Sequence, residues 1–110
     1  MAILVNGKDM KDAVIKTDQF ELRLLELTPE TMKVSVKDIT GQAFTFVPRF
    51  FAIVYPDTKV VNARDTGVST IPARQTVEVP VQFAEKLHME RMMSFELRYS
   101  RKRLGEISIE

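Results

Sequence analysis

The chain has 110 residues, of which 45% are hydrophobic and 28% charged. That length sustains one core, and that balance excludes a disordered chain, whose apolar content would be too low to offset chain entropy. Sixteen basic and fifteen acidic residues leave a formal net charge of +1, so no global field draws the chain to nucleic acid or to an anionic membrane and no nucleic-acid partner is expected. Cysteine is absent, which removes disulfides, thiolate metal sites and thiol nucleophiles together and leaves the redox compartment open.

The N-terminus carries only a short apolar run, Ala2 to Val5. It is too short for a membrane span and lacks a cleavage pattern, so the chain is expected to be cytoplasmic as it stands, or exported with its leader removed. Asn6-Gly7 follows the run. Both residues tolerate the positive φ of a tight hairpin turn, which predicts a first hairpin over residues 2 to 12. Phe20, Leu22 and Leu24 then alternate with Glu21 and Arg23, and Met32, Val34 and Val36 alternate with Lys33, Ser35 and Lys37. Each set reads as a strand with one dry and one wet face. Thr28-Pro29-Glu30-Thr31 between them supplies a turn, because proline presets φ and the hydroxyls bond nearby backbone. Asp38 to Gly41 reads as a further turn, with Asp38 or Thr40 holding backbone and Gly41 at positive φ.

Residues 50 to 55, FFAIVY, break the alternation, so both faces of this strand are expected to leave water. Asn62 to Thr76 is a loop rich in turn formers. Alternation returns at Val77, Val79, Val81 and Phe83, and Pro80 on its wet side places that strand at a sheet edge or bulge. A single helical turn is expected from Ala84 to Arg91. Phe95, Leu97 and Tyr99, then Ile107 and Ile109, form the last two strands around turn residues Arg101 to Gly105. Short strands joined mostly by turns predict one all-β domain over 1–110, an immunoglobulin-like sandwich of about seven strands, with a small β-barrel as the alternative.

Three groups of residues carry the functional expectations. If one face of the FFAIVY strand is uncovered, a patch on Phe51, Ile53 and Tyr55 is the expected partner or subunit interface, since aromatic groups supply much of the energy at protein contacts. His88, Met89, Met92 and Met93 gather the single histidine with three of the six methionines, and imidazole with thioether is a donor set that Cu(I) selects. The competing reading makes these methionines gap-fillers at the end of the sandwich. Arg98, Arg101, Lys102 and Arg103 cluster at a hairpin tip, where they are either a solvated turn or a holder of phosphate or an acidic surface.

No stretch places a base beside a serine in an elbow sequence, and the four glycines are scattered rather than gathered into a phosphate-cradling loop. No catalytic residue and no cofactor is therefore expected. From Phe20 to Tyr99 the layout resembles the immunoglobulin-like domains of small bacterial lipoproteins and secreted antigens. The likeness lies in a strand like MKVSVKD leading through ITGQ to AFTFVPRFFAIVYPD, and in a later strand like QTVEVPVQF. That resemblance implies a sandwich of mostly non-enzymatic character. The expected function is a protein-interaction or assembly module acting on a protein partner or on itself through a sheet face or edge; the alternative is a small-ligand or copper carrier.

Overall fold

The computed structural model describes residues 2–110 and is an all-β sandwich of antiparallel sheets. Its strands are β1 (Ile3–Val5), β2 (Lys8–Asp9), β3 (Ile15–Lys16), β4 (Phe20–Leu27), β5 (Thr31–Asp38), β6 (Phe44–Phe46), β7 (Phe51–Val54), β8 (Val60–Asn62), β9 (Ser69–Ile71), β10 (Thr76–Gln82), β11 (Ser94–Tyr99) and β12 (Lys102–Ile109). One sheet runs β2-β1-β12-β11-β7-β8, a second β10-β5-β4-β3, and β6 pairs with β9 alone. None of these sheets closes on itself, so the barrel alternative is set aside. Among the described residues twelve strands replace the expected seven or so, and six of them are only two or three residues long, too short for an alternation to register.

The hairpins follow their turn residues. Asn6 (φ 51) and Gly7 (φ 81) form the turn between β1 and β2. Thr28 closes the β4–β5 hairpin, its hydroxyl accepting from the Thr31 N–H at 3.0 Å. Pro80 lies on β10, at the edge of its sheet, where a missing N–H breaks no ladder. The β11–β12 turn is tighter than expected: Ser100 and Arg101 take positive φ and β12 begins at Lys102.

Two bulges rephase strands. A register shift between Leu24 and Glu26 leaves Leu25 outside, 40% exposed, and returns Leu27 to the core. A second, between Leu97 and Arg98, sets Gly105 opposite Leu97. The ideal Cβ of a residue at 105 would lie 2.7 Å from the Asn6 amide oxygen, so only glycine leaves that side chain its place. There Asn6 Oδ1 accepts from the Glu106 N–H at 2.9 Å and ties the first hairpin to β12.

The core lies between the inner faces of the two larger sheets. Ile53, Val61, Leu97 and Ile107 from one meet Leu22, Val34, Val36 and Val79 from the other, all essentially inaccessible. Tyrosines hold the two flanking loops. Tyr99 stacks on Phe46 at 4.7 Å and accepts from the Val47 N–H at 3.1 Å; its burial raises the phenol pKa above the ordinary value, against the lowering effect of that hydrogen bond. Tyr55 packs edge-on to Phe95 and accepts from the His88 N–H at 2.9 Å.

That second bond explains a correction. Residues 84–91 form no helical turn. Their N–H groups are taken from outside the segment: Ala84 donates to the Asn62 carbonyl, Leu87 to the Pro29 carbonyl and His88 to Tyr55. Leu87, 4% exposed, plugs the end of the core. Among the described residues the one helical turn is a 3-10 turn at Pro48–Phe50, opened by proline.

Candidate functional site

The doubly apolar strand β7 resolves into a buried and an outward face. Phe51 (1% exposed), Ile53 (0%) and Tyr55 (9%) point into the core. The expected partner patch on these three side chains is thereby corrected, since none of them reaches a partner's surface in the folded chain. The reason is volume: Phe, Ile and Tyr remove more apolar area from water than Phe, Ala and Val at 50, 52 and 54, so the bulkier set goes inside.

The opposite face stays in reach of water. Ala52 and Val54 on β7 are half-buried, while Phe50, at the end of the 3-10 turn, and Val60, on the neighbouring strand β8, are 40% and 44% exposed. Together with Asn62, Arg49, Arg98, Ser100 and Arg101 they line an open depression of about 560 Å³. Its floor is apolar and its rim cationic. Arg49 places its guanidinium 5.3 Å from the centre of the Phe50 ring, which holds the cation over the apolar floor.

The face is offered more than the edge. β8 ends the six-stranded sheet, but the Asn62 carbonyl accepts from Ala84 and the next residue, Ala63, bridges to Phe83. The Asn62 end of that short edge is thus already paired. The other edges of the two larger sheets are blunted: β2 is a charged two-residue strand, β3 is as short, and β10 carries Pro80.

The basic hairpin-tip residues are divided rather than gathered. Glu96 lies between Arg98 and Arg103, at 2.7 and 3.1 Å, and binds both. Arg98 and Arg101 belong to the β7–β8 depression, whereas Lys102 and Arg103 line an adjoining one with Lys16, the two sharing Phe50 and Ser100. Among the described residues no ion pair engages Arg49 or Arg101, which leaves two free cations on the apolar floor's rim. No family model, curated protein or solved structure matches this chain.

The His/Met cluster is also divided. His88 and Met93 line one groove with Tyr55, Lys59 and Lys86. Met89 packs against the core and Met92, at φ 68, is 85% exposed. His88 itself turns to Glu90, 3.2 Å away in solvent. Backbone geometry therefore holds Met92 out in water and Met89 inward rather than aiming four donors at one point.

Asp38 is the acid whose pKa is most displaced, and its chemistry is spent on the fold. It is 1% exposed and accepts four hydrogen bonds, from the Thr40 N–H and hydroxyl, the Gly41 N–H and the Arg74 N–H, at 2.7 to 3.0 Å. Burial works to raise its pKa, but these donors, the Arg74 N–H foremost, outweigh burial and bring it to about 2. A carboxylate so saturated pins the 38–41 turn to the 72–75 loop and has no lone pair aimed at solvent for proton transfer.

Sequence reasoning missed Phe50, Val60 and Arg49. The signal was present in the strand itself, where Ala52 and Val54, smaller than Ile53 and Tyr55, mark the face that need not be interior. Val60 is invisible in this way, because its exposure follows from β8 being the last strand of its sheet.

Proposed function

We propose that this chain is a non-enzymatic protein-interaction module that docks a protein partner on the outward β7–β8 face. The observation that supports it is the adjacency of Phe50 and Val60, two large apolar side chains left 40% and 44% exposed around half-buried Ala52 and Val54. An apolar floor bordered by arginine has the composition of an interface centre, where aromatic and arginine side chains are enriched. The immunoglobulin-like character, and the likeness to domains of bacterial lipoproteins and antigens, fit such a role as architecture and go no further than that.

Of the two protein occupants, a different chain is favoured over a second copy. A twofold contact through this face would bring Arg49 and Arg101 toward their own symmetry mates, with Glu96 already committed to Arg98 and Arg103. Like charge then opposes self-association.

The test is quantitative co-purification from the producing cells with three baits: the native chain, Phe50→Asp, and Glu78→Lys on the exposed face of the other sheet. The reading predicts a protein recovered with the native and Glu78→Lys chains and lost with Phe50→Asp, circular dichroism showing all three folded. Recovery of the same proteins at the same levels by all three baits would refute it.

A further inference from the structure

Resting on that reading, we infer that the occupant of the β7–β8 face is an acidic segment with interleaved apolar side chains. The depression offers two chemistries side by side. Ala52, Val54 and Val60 give a floor that rewards apolar groups, and Arg49, Arg98 and Arg101 give a rim in which two of three cations lack a carboxylate. An apolar segment without acids would leave those guanidinium groups at the border of a newly dried surface, which costs desolvation without return. A segment carrying Asp or Glu beside its apolar residues satisfies both, and guanidinium binds carboxylate through paired, planar hydrogen bonds.

The rest of the surface makes this local. The chain's formal charge is only +1, so attraction of an acidic partner cannot come from the whole molecule and must come from such a rim. An anionic membrane is the competing anionic surface. It is disfavoured because the apolar residues here line a depression of about 560 Å³ instead of protruding.

The test uses fluorescein-labelled peptides alternating leucine with glutamate, with glutamine or with lysine, followed by anisotropy, and phosphatidylserine vesicles followed by sedimentation. The glutamate peptide is expected to bind and to shift the amide resonances of Val54 and Val60. Arg49→Glu with Arg101→Glu should weaken that binding by about tenfold, since two exposed attractive pairs become repulsive, and added salt should weaken it likewise. If the glutamine or lysine peptide binds as tightly, with Phe50→Asp abolishing it and charge reversal leaving it unchanged, the acidic inference falls while the docking face stands. Sedimentation with vesicles and no response to the glutamate peptide would assign the rim to lipid and overturn it. Absence of binding by any probe overturns it too, and leaves the docking face to be judged by Phe50→Asp in co-purification.

Discussion

The contact between Gly105 and Asn6 permits a quantitative test of the fold. A methyl group at 105 would lie 2.7 and 2.8 Å from the two terminal atoms of the Asn6 amide. That amide cannot simply rotate away, because its oxygen accepts from the Glu106 N–H at 2.9 Å while the Asn6 N–H donates to the Glu106 carbonyl at 2.8 Å. Gly105→Ala therefore expels the side chain and breaks one hydrogen bond, a loss of about 1 kcal/mol. Crowding adds about 1 kcal/mol or more, and the smaller entropy of the unfolded alanine chain returns about 0.4–1 kcal/mol. The expected net destabilisation is about 1–2 kcal/mol. In an Asn6→Gly background the obstacle is gone and glycine still suits the φ of 51 at that turn. There the same Gly105→Ala change should be neutral or stabilise by up to about 1 kcal/mol. Urea unfolding of the four proteins, followed by far-ultraviolet circular dichroism, gives the cycle. A coupling of about 2 kcal/mol is expected; free energies that simply add would show that Asn6 does not occupy the space over Gly105.

Three further outcomes follow from the same structure. Phe51→Ala should cost about 3–5 kcal/mol by opening a cavity, whereas Phe50→Ser, one residue away and 40% exposed with its ring edge-on to Tyr99, should cost about 1–2 kcal/mol in the same urea assay; comparable losses would contradict the assignment of faces. Asp38 contributes stability that is present above the ordinary carboxylate pKa of about 4 and is lost as pH falls through its folded value of about 2, so acid titration of Asp38→Asn should show a shallower loss across that window, and an unchanged slope would place the acid sensitivity elsewhere. Tyr55→Phe should cost about 1 kcal/mol through its bond to His88 and speed amide exchange locally in residues 84–93; exchange unaltered there would mean that Leu87 alone anchors the segment.

How far the sequence disclosed this molecule depended on range. Asn6-Gly7, Thr28 to Thr31 and Pro80 were legible because their effect is local: a backbone angle, a hydroxyl near its own turn, a missing donor. The 84–91 segment was not, because its apolar spacing suggests a turn of helix while its N–H groups bond to Asn62, Pro29 and Tyr55, partners up to tens of residues away. Leu25 shows the same limit on a smaller scale, as a bulge reverses the alternation in mid-strand. On β7 the sequence marked a doubly apolar strand but not which side faces out, and Phe51, Ile53 and Tyr55 are the buried side. At the hairpin tip Glu96 binds Arg98 two residues along its own strand and Arg103 across the hairpin, and only the second pairing needs the register of β11 with β12 to be seen.

The most direct test of the central claim, that the β7–β8 face is built for another chain, is the mass of the isolated protein by size-exclusion chromatography with light scattering over a wide range of concentrations. The account predicts the mass of one chain throughout, because the unpaired Arg49 and Arg101 repel their counterparts on a second copy. A stable dimer that Phe50→Asp returns to monomer would contradict it and give the face to self-assembly.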